Sequence, residues 1–431
     1  MNYDQALEYL QDLTSLGWKL GLDKVRSLLK EIDNPQGKYK VVHVAGTNGK
    51  GSTSSMLASI LKAAGYKTGL FTSPHLIYIG ERIKCNGVSI SQEELVEYIE
   101  RLQPLIKKHK CTFFEAITVI ALLYFADQKV DIAVIEVGLG GRLDATNVVS
   151  SIISIITNID IDHTKQLGND RKSIAREKAG IIKPNSICIT NCTHKGINSV
   201  FDQFCREREC EHIFINKIIK VDNVRLNEEF TSLDLAINGS FFPHLKLSLI
   251  GEHQIQNAAL AVTAANVLDS RFLRIKDDHI YKGLSNVQWT ARLQTMALNP
   301  KIVVDVAHNP NGISSLKKAI RTIFNYERLI IVMGIAKDKQ YENMLKQIVP
   351  LADFFIAVKA NNRRALSSAE LSKSAKKYAD NLVKCQTVEQ GLNAALQQAN
   401  KGDMILCTGS HYTVGEFINC LNNGKVRVAS K

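Results

Sequence analysis

The run Val41-Val-His-Val-Ala-Gly46-Thr-Asn-Gly49-Lys50-Gly51-Ser52 restricts this chain more than any other segment. An apolar stretch, Tyr39 to Ala45, leads into a glycine-rich turn, Gly46 to Gly51. A helical pattern from Ser52 to Ala64 and a second apolar stretch from Thr68 to Phe71 follow. Strand, turn, helix and strand in that order make a βαβ unit, which commits the region to a parallel sheet. Glycines let the main chain approach a phosphate, helix N-terminal N–H groups face it, and Lys50 supplies a cation. The strict Walker pattern is not met, because Val44 stands where its first glycine belongs and Gly51 separates Lys50 from Ser52. That departure weakens kinase and GTPase readings. The plain alternative is a tight turn beside a solvated lysine.

Further strand-like runs lie at Asp131 to Val137, Ile152 to Thr157 and Ser186 to Thr190, with helical patterns at Gln92 to Lys108, Thr112 to Ala126 and Ser173 to Ala179. The last helix stops at Gly180, with Pro184 beyond it. Residues 200 to 250 give a weaker, mixed pattern with a small antiparallel part. After a helix near Ile255 to Leu268, the segment Asn286 to Pro300 changes character and a fresh alternation begins. Its strands are Ile302 to Val306, Leu329 to Gly334, Phe354 to Val358, Leu382 to Cys385 and Met404 to Thr408. The expected fold is therefore two three-layer α/β domains, residues 1–296 and 297–431, the second on its own smaller parallel sheet. Their crevices lie at the carboxyl ends of the strands. No internal repeat or low-complexity segment is visible.

With 431 residues, 45% hydrophobic and 22% charged, the chain lies outside the disordered, collagenous and coiled-coil classes. The 54 Lys and Arg against 42 Asp and Glu give +12, which favours acidic partners in general. The basic residues are spread along the chain and no RRM, KH or zinc-finger spacing appears, so no nucleic-acid partner is expected. Nine cysteines without a CxxC pair or zinc-site spacing point to free thiols in a reducing cytoplasm. Neither a signal peptide nor a membrane helix is expected: Met1-Asn-Tyr-Asp is not a targeting start, and Ala116 to Ala126 is too short to span a bilayer.

Three polar side chains stand at strand ends. Glu136 closes the run Asp131 to Val137 beside three glycines, His163 follows the next strand in Asp160-Ile-Asp162-His163, and Ser73 follows Thr68 to Phe71. All three emerge at the edge that carries the phosphate loop, where a carboxylate can face a phosphate-bound Mg²⁺. Singly, each reads more plainly as a turn or cap; together with the loop they read as metal ligands.

Seven blocks, in order, resemble the motifs of the folylpolyglutamate synthase and dihydrofolate synthase family, a branch of the Mur-type amide ligases. They are His43 to Ser52; Phe71-Thr-Ser-Pro-His75 with Glu81-Arg82-Ile83; Val134 to Asn147; Ala175 to Ile182; Gly251-Glu-His-Gln254 with Asn257; Ala291-Arg292; and Asp305-Val-Ala-His-Asn309. The resemblance covers nearly the whole chain. It implies a P-loop ATPase-like first domain, a Rossmann-like glutamate ligase second domain, and an ATP-dependent ligase. In such a ligase a substrate carboxylate becomes an acyl phosphate that L-glutamate displaces. By motif position, Gly49, Lys50, Gly51 and Ser52 correspond to the triphosphate cradle, and Ser73, Glu136 and His163 to Mg²⁺ ligands, with one or two ions. Asn257, Arg292 and Asp305 correspond to ATP contacts, the last two reached across the interdomain cleft.

Thr112-Phe113-Phe114-Glu115 and Leu143-Asp144-Ala145 resemble the pterin-contacting segments; core packing is an equal reading of the two phenylalanines. His308 could accept the glutamate amine proton or bind a phosphate oxygen, or be a capped loop histidine. Lys178, in Arg176-Glu-Lys-Ala-Gly180, resembles the lysine that the family carbamylates, against the alternative of an exposed lysine at a helix end. The resemblance also implies a cytoplasmic monomer acting on pterin or folate, L-glutamate and ATP. Whether dihydropteroate, folate or both are glutamylated stays open, with a folylpolyglutamate synthase alone as the alternative and a P-loop phosphotransferase as a distant one. Trp289-Thr-Ala-Arg292, Asp305-Val-Ala-His308 and the loop Ala336 to Gln340 depart from the usual motifs while keeping the key polar side chains.

Overall fold

A computed structural model of the chain describes residues 1–17, 21–192 and 194–423. An eight-stranded sheet orders its strands Val88–Ser89, Ile83–Cys85, Thr68–Phe71, Ile132–Glu136, Lys40–Ala45, Ile153–Ile156, Ile187–Thr190 and Glu211–Phe214. The last six are parallel; the two at the near edge turn back antiparallel. Strict alternation along each strand splits the interior into two layers. Val42, Val44, Ile132 and Val134 pack under the helices Lys50–Ala63 and Glu252–Arg271, while Val41, Ala133 and Ile135 pack under Gln92–His109 and Phe113–Asp127. Lys40–Ala45 lies between Ile132–Glu136 and Ile153–Ile156. The connections therefore diverge from its carboxyl end, and a crevice opens there.

The segment that the sequence pattern leaves unassigned holds the helix Lys195–Glu207 and an antiparallel sheet of Ile219–Leu226, Thr231–Ile237 and Ser240–Leu247. Its outer strand is exposed at most positions, so it carries no clean apolar alternation to read.

A second sheet runs Gln294–Leu298, Lys301–Val304, Met404–Thr408, Leu329–Met333, Phe354–Ala357 and Leu382–Lys384, with separate apolar layers on its two faces. Both domains are thus three-layered α/β units. The second sheet is parallel except at its first strand, which pairs antiparallel and lies across the stretch where the sequence changes character. The strand expected over Ile302 to Val306 stops at Val304 because the Asp305 carboxylate takes the N–H groups of Leu293 and Ala307 and turns the chain. The helix expected from Ser52 starts at Lys50, since Gly49 adopts φ +82° as its N-cap. Among the described residues, no helix is long and apolar enough to cross a membrane.

Candidate active site

The carboxyl ends of both sheets face one cavity of 1140 Å³, and every residue singled out from the sequence as a site residue lines it. The phosphate loop forms one wall. Thr47 and Asn48 N–H donate to Asn158 Oδ1 (3.2 and 2.8 Å), which fixes the turn. The first-turn N–H groups of the helix Lys50–Ala63 have no intrahelical acceptor and remain for an anion. A Cβ on Gly46 would lie 1.8 Å from Thr157 Oγ1, and one on Gly51 2.6 Å from the Trp289 ring, so side chains are excluded where a phosphate would approach.

Asn257, expected to contact ATP, lines the cavity and abuts the loop: a Cβ on Gly49 would lie 2.3 Å from its Oδ1, and its amide donates to Gln254 Oε1 (2.9 Å). Gly49→Ala should therefore weaken ATP binding about tenfold, since a strained left-handed residue costs about 1–3 kcal/mol and 1.4 kcal/mol is tenfold in affinity. Calorimetric titration with a non-hydrolysable ATP analogue checks this, with the melting curve confirming the fold.

Lys50 Nζ curls back onto the carbonyls of Gly46 (3.1 Å) and Thr47 (3.2 Å). Burial lowers its pKa, and Glu136 and Asp162 oppose the shift. Lys178, on the helix Arg171–Ala179, is 4% exposed and donates to Gly46 O (2.8 Å). The exposed-lysine alternative is thereby overturned. Burial, reinforced by Lys50, brings its pKa down to about 7.

Glu136 is buried; its Oε2 accepts from the Ser73 N–H (3.0 Å), and among the described residues it forms no salt bridge. Burial raises its pKa, with Lys50 as the main opposing charge. A buried carboxylate short of a cation, beside a phosphate loop, fits a divalent ion. Among the described residues, however, no three His, Cys, Asp or Glu side chains form a ready-made metal cage. An ion here would complete its shell with phosphate oxygens and water. His163 reaches the same cavity but turns its Nε2 to the Lys339 ammonium at 3.3 Å. Burial, then Lys339, lowers its pKa to about 4, so the ring is neutral.

From the second domain, Arg292 lies inside the cleft facing Asp305 and Glu136, in no salt bridge among the described residues, so the plain alternative of a surface salt bridge does not hold for it. Asp305 accepts from Leu293 N (3.0 Å) and Ala307 N (2.8 Å). Asp305 is not a helix N-cap, since Asn309 caps the helix Pro310–Ile323; its two oxygens cap the turn and keep further lone pairs toward the cavity. His308 Nδ1 donates to Val306 O (2.9 Å), leaving Nε2 as an acceptor beside the tilted ring of His411. Burial, above all, lowers its pKa to about 4.

In the pterin segments the structure separates framework from surface. Thr112 and Glu115 form the capping box of the helix Phe113–Asp127, so their side chains are spent on its first turn. Phe114 packs against Phe71 and over Gly138, which is the core-packing reading; Phe113 holds the Arg82 guanidinium 5.3 Å above its ring. Asp144 binds Leu139 N, Thr146 N and the Thr146 hydroxyl, and thus shapes the loop of Leu143 and Ala145.

Lys339, Asp162, Asn48, Asn309, Arg82 and His411 also belong to the cavity wall or its closure and were not picked out from the sequence. Asp162 adjoins His163 and Arg82 stands in a recognisable block, so both were within reach. Lys339 lies in the loop Ala336 to Gln340, which departs from the usual motif, but nothing there marks this lysine among its neighbours.

With this geometry in place, comparison with known proteins is informative. The Mur ligase middle domain matches residues 44–265, and the Mur ligase glutamate ligase domain matches residues 291–411. A dihydrofolate synthase/folylpolyglutamate synthase of Bacillus subtilis (strain 168) is 32% identical over 96% of this chain and 98% of its own. Folylpolyglutamate synthase of Thermotoga maritima superposes with a TM-score of 0.86 at 33% identity, covering 99% of this chain and 98% of that one. The Escherichia coli protein solved in complex with DHPP and ADP gives 0.87 at 28% identity, with 99% of each chain covered.

Proposed function

The chain belongs to the dihydrofolate synthase/folylpolyglutamate synthase family of Mur ligases, and on that premise we propose that it joins L-glutamate both to dihydropteroate and to the γ-carboxyl of reduced folates. Members of the family are ATP-dependent ligases, and ligation is the activity of this chain. One observation carries the site assignment: the phosphate loop, the buried Glu136 and the edge of the second sheet with His308 line a single cavity.

In the first step a substrate carboxylate oxygen attacks the γ-phosphorus, the bond to the β-phosphate oxygen breaks, and ADP leaves. The free N–H groups at Gly49 to Ser52 and the Lys50 ammonium hold the triphosphate and meet charge as it develops. Arg292 clamps the phosphoryl oxygens with a planar fork that a point charge cannot match. Ser73, Glu136 and His163 would hold Mg²⁺, which supplies charge neutralisation at the phosphoryl group. In the second step the glutamate nitrogen attacks the acyl carbon, and phosphate leaves from the tetrahedral intermediate. His308 Nε2, neutral and free, takes the amine proton. Phe113 offers a ring face to the flat pterin. Lys178, as its carbamate, adds an anion to the site. Closure between the two sheets excludes water, which would otherwise hydrolyse the acyl phosphate. The nine cysteines are free, which supports a reducing, cytoplasmic setting for an enzyme acting on small molecules.

Phosphate release measured with ATP, L-glutamate and each pterin in turn tests this reading. Glutamate-dependent release is expected with dihydropteroate and with tetrahydrofolate. Turnover with the folate alone would reduce the enzyme to a folylpolyglutamate synthase, and release independent of glutamate would return it to the phosphotransferases.

A further inference from the structure

The two domains meet over the phosphate loop through a small set of polar side chains. Asp162, in the loop after Ile153–Ile156, has its Oδ1 bound by the Lys339 ammonium at 2.8 Å and its Oδ2 by Asn309 Nδ2 at 3.2 Å. The same Asn309 amide donates to Oδ1 of Asn48, inside the phosphate loop, at 2.8 Å. Lys339 and Asp162 expose only 7% and 11% of their side chains, so this is a nearly desolvated pair. Such a pair is far costlier to break than a surface one.

Lys339 is not a loose surface lysine. Its loop is pinned by the Asp338–Arg364 ion pair (2.8 Å), by the Lys337 N–H donating to Arg364 O (2.8 Å), and by the bridge between Ala336 and Ala365. On the other side, His163 sits at φ +51°, a conformation non-glycine residues seldom adopt, with its N–H donating to Asp162 Oδ1 (2.8 Å). Neutral, its Nε2 accepts from the same ammonium. Two anchored loops from different domains are thus built to meet at one nitrogen.

We propose that Lys339 is a positioning residue for ligation: by gripping Asp162 it seats the second domain, with Arg292 and His308, over the phosphate loop. The proposal rests on the ligase reading for its effect on turnover and on geometry alone for its effect on closure. Among the described residues, no other salt bridge joins the second domain to this loop of the first.

Small-angle scattering and glutamate-dependent phosphate release, measured on the same preparations, test it. Lys339→Met is expected to enlarge the radius of gyration of the full chain. It should lower kcat by up to about a hundredfold, the cost of misplacing reacting groups by an ångström, while moving the KM for ATP little. Lys339→Arg, which keeps the charge, should recover part of both. Asp162→Asn should reproduce the opening without altering Lys339, and combining it with Lys339→Met should add little. A Lys339→Met protein as compact as the wild type overturns the proposal whether or not it turns over. An opened protein with wild-type kcat, or strictly additive effects, overturns it too. If the wild type itself shows no glutamate-dependent release, the ligase reading fails while the scattering comparison still decides the closure.

Discussion

Lys50→Ala is expected to slow ligation about a hundredfold or more at saturating ATP, the usual loss when a preorganised charge is removed from a transferring phosphoryl group. The side chain is sealed within the cavity wall, and burial, which favours its neutral form, is countered by Glu136 and Asp162. Its two hydrogen bonds go to the carbonyls of its own loop, so it serves that loop as a clasp and the phosphates as a cation. Loss of charge should therefore appear in kcat and loss of the clasp in ATP affinity. Initial rates of phosphate release against ATP concentration separate the two. Near-full activity of the alanine protein at saturating ATP would remove the loop from the mechanism.

An effect of similar size is expected for Lys178→Ala. Its amine is buried against Gly46 O, and desolvation with the neighbouring Lys50 brings its pKa to about 7. Below that pH the group is an ammonium with no lone pair for CO₂; above it the neutral amine forms N–CO₂⁻ and releases a proton. Activity in bicarbonate should accordingly rise as pH climbs through about 7, the direction a depressed lysine pKa dictates. Carbon-13 spectra of protein equilibrated with labelled bicarbonate should show one carbamate signal, absent in Lys178→Ala. Short carboxylates such as acetate should partly rescue the alanine protein. Full activity of that protein, or a spectrum without the signal, would exclude the modification.

How much of this was legible depends on distance along the chain. Strand ends announce themselves, because apolar alternation stops where a polar side chain begins; Glu136, Ser73 and His163 could be placed at one sheet edge before any coordinates. The small antiparallel part expected within residues 200–250 is present, but its strand limits could not be read, because one face is solvated and bulges break the register at Ser232/Asp234 and Leu233/Leu235. The roles of Asn257, Asp144, Asp305, Thr112 and Glu115 were harder still. Asp144, Asp305, Thr112 and Glu115 each bind a backbone N–H and Asn257 bonds Gln254 on its own helix, and a sequence motif does not distinguish a residue that touches a ligand from one that shapes the wall. Lys339 and Asp162 lie 177 positions apart and meet only once both sheets are folded.

A single oxygen, the carbonyl of Gly46, accepts from both Lys50 (3.1 Å) and Lys178 (2.8 Å). A carbonyl has two lone pairs, and here both are committed. The lysine proposed to neutralise phosphate and the lysine proposed to capture CO₂ are therefore tied to one atom, and neither can move without changing the footing of the other. Their contributions to the reaction belong to the pair as a thermodynamic unit, and a cycle that deletes them singly and together would find a coupling energy in place of two separate sums.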